Sequence, residues 1–273
     1  MDSTRELGEI VTIRGVDGSS ARISMHGAHV TSWLTADGVE RLFLSSRAAA
    51  SGGSAIRGGV PVCFPQFADV GSLPKHGFAR TQAWTHIGGG CFALETTADS
   101  WPGWPHPCRL HLAVTLGAAT MTCVLTVENT GTEPFSFTGA LHTYLRCDDI
   151  TSVSVRGLNG RAVRSGGFVH GDIAFGDAAS DVDLSVFAVQ KATTVIGLQR
   201  GEPSKVVCAQ TGFPDVVVWN IGRTLAAEMA DLGPEEWRNY VCVEAAAVEN
   251  PVVLASLERW VGTQTLVIES EQL

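Results

Sequence analysis

Proton-transfer chemistry needs one group that releases a proton and one that takes it, and two segments of the chain offer such groups in apolar company. In "GALHTYLRCDD", His142 stands between Leu141 and Thr143 in a strand-like run. With Leu141 and Leu145 on one face, alternation along a strand sends His142 and Tyr144 to the other. A histidine on an inner sheet face is a proton donor near neutral pH; the alternative is a core histidine held by a hydrogen bond. In "YVCVEAAAVENP", Glu244 follows Val241, Cys242 and Val243 and precedes three alanines. A carboxylate among small apolar residues is costly unless paired or used. Desolvation there raises its pKa toward a value useful to a general base. The alternatives are partnership with a nearby arginine or a solvated strand end. Glu249, beside Asn250 and Pro251, reads as a solvated turn residue.

The second chemistry on offer is anion binding. "SAIRGGVPVCFPQF" sets Arg57 and two glycines at the edge of an apolar, proline-bounded run, and "GSLPKHGFAR" presents Lys75, His76 and Arg80 around a Pro74–Gly77 turn. Arginine's planar fork donates in pairs to phosphate, and Gly58 and Gly59 are expected to let the backbone approach a ligand closely. Taken singly, each of these is also an ordinary surface cation. Trp33, Trp84 and Trp219 lie in strand-like runs beside polar residues, either as platforms for the apolar face of a sugar or as core anchors.

Other chemistries are excluded. "HIGGGC" and "IRGG" follow no strand-to-helix nucleotide pattern, and no serine sits in a G-x-S-x-G elbow. The seven cysteines are scattered without zinc spacing, and Cys63, Cys123, Cys208 and Cys242 fall in apolar runs as small buried hydrophobes. Net charge is −9, so nucleic acid and anionic membranes are poor partners, and any bound anion must be drawn in by local arginines. The start "MDSTRELGEIVTIRG" has no apolar signal core, and no run approaches the roughly 18 apolar residues of a membrane span, which points to a cytoplasmic protein.

The elements that must position these groups are strands. "EIVTIRG", "ARISMHG", "CFALETTA", "RLHLAVTLG", "MTCVLTVENTG", "TSVSVRGL", "KVVCAQ", "DVVVWN" and "TLVIES" are short alternating or β-branched runs between Gly, Asn and Asp turns. Helical periodicity is almost absent, with "EEWRNYV" good for a turn or two. No linker, charge run or repeat divides the 273 residues, and 45% hydrophobic content supports a sizeable core. The expectation is an all-β fold in one domain, residues 1–273, of two large, mainly antiparallel sheets packed face to face.

Taken in order, these blocks resemble the aldose 1-epimerase-like proteins, and within them the glucose-6-phosphate 1-epimerase branch. The likeness runs from "HGAHVTSWLTADGVERLFLS" through "AIRGGVPVCFPQF", "LPKHGFARTQAW" and "GALHTYLRCDD" to "DVVVWNIG", "YVCVEAA" and "GTQTLVI". The resemblance implies a galactose mutarotase-like β-supersandwich with a sugar cleft. It implies His142 as general acid, Glu244 as general base, Arg57 and Arg80 on the sugar phosphate, His76 as a substrate contact and Lys75 close by. The family's aspartate best matches Asp183 in "SDVDLSVF", with Asp181 as rival, although Leu184 replaces the arginine that usually follows. "WNIGRT" also departs from the Pro-Trp pair expected after the asparagine, which changes a loop at the cleft.

The implied reaction interconverts the α and β anomers of a hexose 6-phosphate, glucose 6-phosphate first among them. It proceeds by ring opening between an acid and a base on opposite sides of the ring, with no metal or cofactor, in a monomer whose partner is a small sugar phosphate. The rivals are an epimerase for unphosphorylated aldoses, which needs no arginine pair, and a non-catalytic carbohydrate-binding module, which needs neither acid nor base.

Overall fold

Runs such as Cys108–Gly117 and Thr120–Asn129 alternate buried and half-exposed residues almost without a break, the period-2 signature of a strand with one face on a core. In the computed structural model, which describes residues 7–50, 53–176, 182–189, 192–199 and 204–270, these runs assemble into three antiparallel sheets. The smallest joins β1 (Ile10–Arg14), β2 (Ser20–Ser24) and β3 (His29–Leu34). The six-stranded sheet runs β13 (Val182–Val186), β16 (Asp215–Asn220), β17 (Tyr240–Leu254), β9 (Phe135–Leu141) and β4 (Val62–Cys63), with β10 (Tyr144–Arg146) also on β17. The nine-stranded sheet begins with β12 (Ile173–Ala174), β11 (Ser154–Arg156), β14 (Thr193–Ile196), β15 (Ser204–Thr211) and β18 (Arg259–Ser270). It continues through β8 (Thr120–Asn129) and β7 (Cys108–Gly117) to β6 (Cys91–Thr96) and β5 (Thr85–Gly88). The two large sheets are those the sequence predicts; the small N-terminal sheet is an addition to that expectation.

One continuous apolar core joins the large sheets. Leu141, Val216 and Val243 contribute from the six-stranded sheet, and Leu112, Val127 and Leu266 from the nine-stranded one. The opposite face of the six-stranded sheet carries the polar groups discussed below. Strand β17 lies at its centre, paired with β16 on one side and with β9 and β10 on the other. Helix is confined to short pieces among the described residues: α1 (Gly222–Ala226) and 3₁₀ turns at Ala79–Thr81, Ile150–Ser152 and Glu236–Asn239, the last where the "EEWRNYV" turn was expected. No helix of the described residues is long and apolar enough to cross a membrane.

The glycines of "IRGG" have a different job from the one their residue types suggest. Gly58 and Gly59 have φ of 108° and 61°, and an added Cβ would meet Phe43 O at 2.4 Å and Val30 O at 2.1 Å respectively. They let this segment lie against other stretches of the chain's own backbone, so the expected close approach to a ligand is corrected. Trp33 and Trp84 are core anchors, 0% and 2% exposed, whereas Trp219 is half-buried on the polar face.

Candidate active site

A cavity of about 390 Å³ opens on the polar face of the six-stranded sheet. Its lining includes all seven residues singled out from the sequence: Arg57, Lys75, His76, Arg80, His142, Asp183 and Glu244. The rival Asp181 lies outside the described residues.

The floor is set by strand register. Leu141 pairs with Ala245 and Tyr144 with Cys242, so the two residues between β9 and β10 stay in step with β17 and His142 falls directly opposite Glu244. The strand is pinched at that point. His142 N–H donates to Pro61 O at 3.0 Å and Thr143 N–H turns back to Leu141 O at 3.0 Å. Behind the floor, Gln264 of β18 reaches across the core. It accepts from the Thr143 hydroxyl at 2.5 Å and donates to Val243 O at 3.0 Å, tying together the neighbours of both floor residues. Nothing in the sequence pattern marks Gln264, because its partners belong to the other sheet.

His142 Nδ1 and Glu244 Oε1 are 3.3 Å apart, and the two side chains are 7% and 1% exposed. Neither His142 Nδ1 nor Glu244 Oε2 has a hydrogen-bond partner. Burial pushes the Glu244 carboxyl well above its ordinary value, with Asp183 adding repulsion and Arg80 opposing. Burial also pushes the imidazole of His142 well below its ordinary value, helped by His76, Arg80 and Arg57. Both shifts favour uncharged forms. The neutral pair and the ion pair contain the same single proton, so interconverting them needs no exchange with solvent. The expectation of groups on opposite sides of a ring is therefore corrected: they are cross-strand neighbours.

His142 is braced by rings. It stacks on Tyr144 at 4.8 Å between centroids and meets His76 at 5.4 Å and Trp219 at 5.7 Å, both edge-on. His76 is pushed down to about 3, by burial first and then by Arg80, Lys75 and Arg57, and so is neutral at physiological pH. Its Nδ1 accepts from Ala68 N–H at 3.3 Å, which leaves the proton on Nε2 as a donor. Its φ of 64° is unusual for a non-glycine residue and is imposed by the tight turn into Gly77.

The cations sit around the wall. Arg57 donates from Nε to Asp231 Oδ2 at 3.1 Å, with Nη2 3.0 Å from the same oxygen, and from Nη1 to the Tyr144 hydroxyl at 3.2 Å. Burial works against its charge, but Tyr144 and Asp231 outweigh burial and raise its pKa. Arg80 donates to Lys75 O at 2.9 Å and keeps a buried Nε with no partner. Lys75 is 61% exposed and 3.7 Å from Asp69. The remaining wall comes from Phe67, Trp219 and the segment after β16, which supplies Leu225, Glu228 and Met229. Asn220 starts that segment. Its amide donates to Trp237 O and Tyr240 O, and its carbonyl accepts from Gly222 N–H. Of the residues added here, only Tyr144 had a readable signal, its alternation with His142. Asp231 and the α1 segment had none, because their place depends on how the chain folds back.

Residues 9–266 match the family model described as "Aldose 1-epimerase". A protein of Cenchrus ciliaris named "Putative glucose-6-phosphate 1-epimerase" is 35% identical over 277 residues, covering 93% of this chain and 83% of its own. One of the same name from Escherichia coli is 33% identical over 247 residues, covering 83% and 79%. The crystal structure of "a putative mutarotase" from Salmonella typhimurium superposes with a TM-score of 0.81 at 26% identity, covering 93% of this chain and 88% of that one.

Proposed function

Because the chain belongs to the aldose 1-epimerase family, we propose that it interconverts the α and β anomers of a hexose 6-phosphate, with glucose 6-phosphate as the substrate that fits best. The chain is an isomerase of the mutarotase kind. The observation that carries the site assignment is the unpartnered His142–Glu244 pair on the floor of a cavity ringed by Arg57, Arg80 and Lys75.

Mutarotation moves one proton off the anomeric hydroxyl and puts one on the ring oxygen. Both oxygens are bonded to the same carbon, so a donor and an acceptor 3.3 Å apart serve them together. Glu244 takes the hydroxyl proton while His142 delivers its own to the ring oxygen. The bond from that oxygen to the anomeric carbon breaks, and the open aldehyde forms. Rotation about the bond between the first two carbons turns the other carbonyl face to the ring-closing hydroxyl, and closure reverses both transfers. The pair ends each turnover with the one proton it began with. The low dielectric of the floor keeps that proton between the two groups, and each positioned transfer contributes on the order of 10²–10⁴ in rate. His76 Nε2–H and Asp183 are placed to hold ring hydroxyls, and the half-buried face of Trp219 suits the apolar side of the sugar.

The phosphate goes to the cationic wall. Arg80 has an unused buried N–H, Arg57 a preset fork, and Lys75 a solvated charge at the mouth. Of the three cations, Arg80 alone has no carboxylate partner among the described residues, and a neutral sugar has no evident use for it. The test is NMR of freshly dissolved α-glucose 6-phosphate and α-glucose, with and without protein. Acceleration of the phosphorylated sugar well beyond the free one is expected. Equal acceleration of both would overturn the phosphate assignment, and none would overturn the mutarotase reading.

A further inference from the structure

Beneath the floor lies a buried thiol that proton transfer does not use. Cys242 lies two residues before Glu244 on β17, on the same face, and opposite Tyr144 and Trp219 in register. One ligand atom each from His142, Cys242 and Glu244 all fall within 4.8 Å of one another, and all three residues are buried. Among the described residues this is the single cluster of three or more such side chains. We propose that these three residues form a binding site for a thiophilic divalent cation of the zinc type, and that its occupancy switches the enzyme off.

Three observations converge on that site. The first is spacing. Two ligand atoms at about 2.0 Å from a tetrahedral zinc ion stand about 3.3 Å apart, and His142 Nδ1 and Glu244 Oε1 are 3.3 Å apart already. The Cys242 sulfur lies within 4.8 Å of the other two ligand atoms and has to move inward to share an ion with them. The second is unmet bonding: His142 Nδ1 and Glu244 Oε2 are buried without a hydrogen-bond partner, and the one protein contact a cation between the two groups replaces is the 3.3 Å approach of Nδ1 to Oε1. The third is charge. Binding releases the thiol proton and the one proton shared by His142 and Glu244, so a dication replaces two protons. Dication, thiolate, carboxylate and neutral imidazole then sum to zero. A neutral, fully liganded cluster is the kind of ion site a buried floor tolerates, whereas a lone charge there is costly. His142 and Glu244 both line the cavity, which is the route in.

A cation so placed holds both lone pairs that proton transfer requires, so inhibition follows from the proposed roles of His142 and Glu244; binding itself does not depend on them. The seven cysteines include six others, so the assignment turns on Cys242 rather than on thiolate binding in general.

The full-length metal-free protein is titrated with Zn²⁺ in a calorimeter and with Co²⁺ in a spectrophotometer, alongside Cys242→Ala and Cys242→Ser. The wild type is expected to bind a single ion, to show a sulfur-to-cobalt charge-transfer band in the near ultraviolet and to release about two protons per Zn²⁺ when titrated in buffers of different ionisation enthalpy. Loss of a ligand exceeds loss of the group behind it, so Cys242→Ala should weaken Zn²⁺ about 100-fold or more and abolish the band. Zn²⁺ should arrest wild-type mutarotation, with recovery on adding a chelator, while Cys242→Ala turns over normally and resists the same ion concentration. Bound Co²⁺ with no charge-transfer band overturns the site even if neither variant folds. Equal Zn²⁺ affinity of wild type and variant also overturns it. Metal binding by a protein with no mutarotase activity would leave the site standing and remove only the inhibitory consequence.

Discussion

The floor and the wall of the cavity are built on opposite principles. His142 and Glu244 come from paired central strands, are sealed by the Thr143–Gln264–Val243 contacts behind them, and are pushed toward uncharged forms by burial. Arg57, Lys75 and Arg80 come from connecting segments and meet solvent to different degrees. A sheet fixes the proposed acid and base opposite each other through backbone register, and accepts unpartnered buried atoms as the cost. A loop holds charges that a phosphate can reach, with solvent limiting both their benefit and their penalty. Chemistry and affinity should therefore separate under mutation.

The largest effect expected is at the floor. Glu244→Gln and His142→Ala should each lower kcat for glucose 6-phosphate on the order of 10²–10⁴ with the fold intact by circular dichroism. An active Glu244→Gln would erase the distinction between the two regions. Next comes the wall. Arg80→Ala should raise KM for the phosphorylated sugar about 30-fold if the guanidinium is desolvated on binding, with kcat nearly unchanged. Arg57→Ala should cost more, because it leaves the Asp231 carboxylate facing the phosphate without its partner. Adding Asp231→Asn should recover part of that loss, and a double variant no better than the single one would show that Asp231 merely positions the arginine.

A smaller effect concerns stability. Between the ordinary glutamate value of 4.5 and the raised value in the fold, the unfolded chain has lost a proton that the folded chain keeps, so wild-type stability falls as pH rises. His142 gives the opposite slope below 6.5, where the unfolded chain is protonated and the folded one is not. Glu244→Gln removes the first slope. The inactive variant should melt above wild type at pH 8, by about 2–4 °C for each kcal/mol gained, and converge with it near pH 4.5. A gap independent of pH would point to packing rather than to the carboxyl. The smallest effect is at the mouth: Lys75→Ala should change KM by less than about threefold at physiological salt, since its charge is well solvated.

Much of this was legible in the residues. Alternating or β-branched runs located β1, β6, β7, β8, β15, β16 and β18. Apolar company flagged Glu244, and alternation put His142 and Tyr144 on one face. Residue types alone misassigned Gly58 and Gly59, whose open side is filled by Phe43 and Val30 rather than by a ligand. They also gave no sign of the α1 segment as a wall, because a five-residue helix has too little periodicity to be read.

What the sequence determined by itself is therefore local: which stretches are strands, which way their side chains alternate, and that an acid, a base and several cations exist in settings that suit them. Alternation fixes a residue's face but not its neighbours. Only the tertiary structure decided that β17 lies beside β10, which sets His142 against Glu244 and Cys242 beneath them, and that Asp231 claims the fork of Arg57. Those pairings join segments about 100 to 170 residues apart. They are chosen by the burial of the whole core, a quantity that no short window of sequence contains.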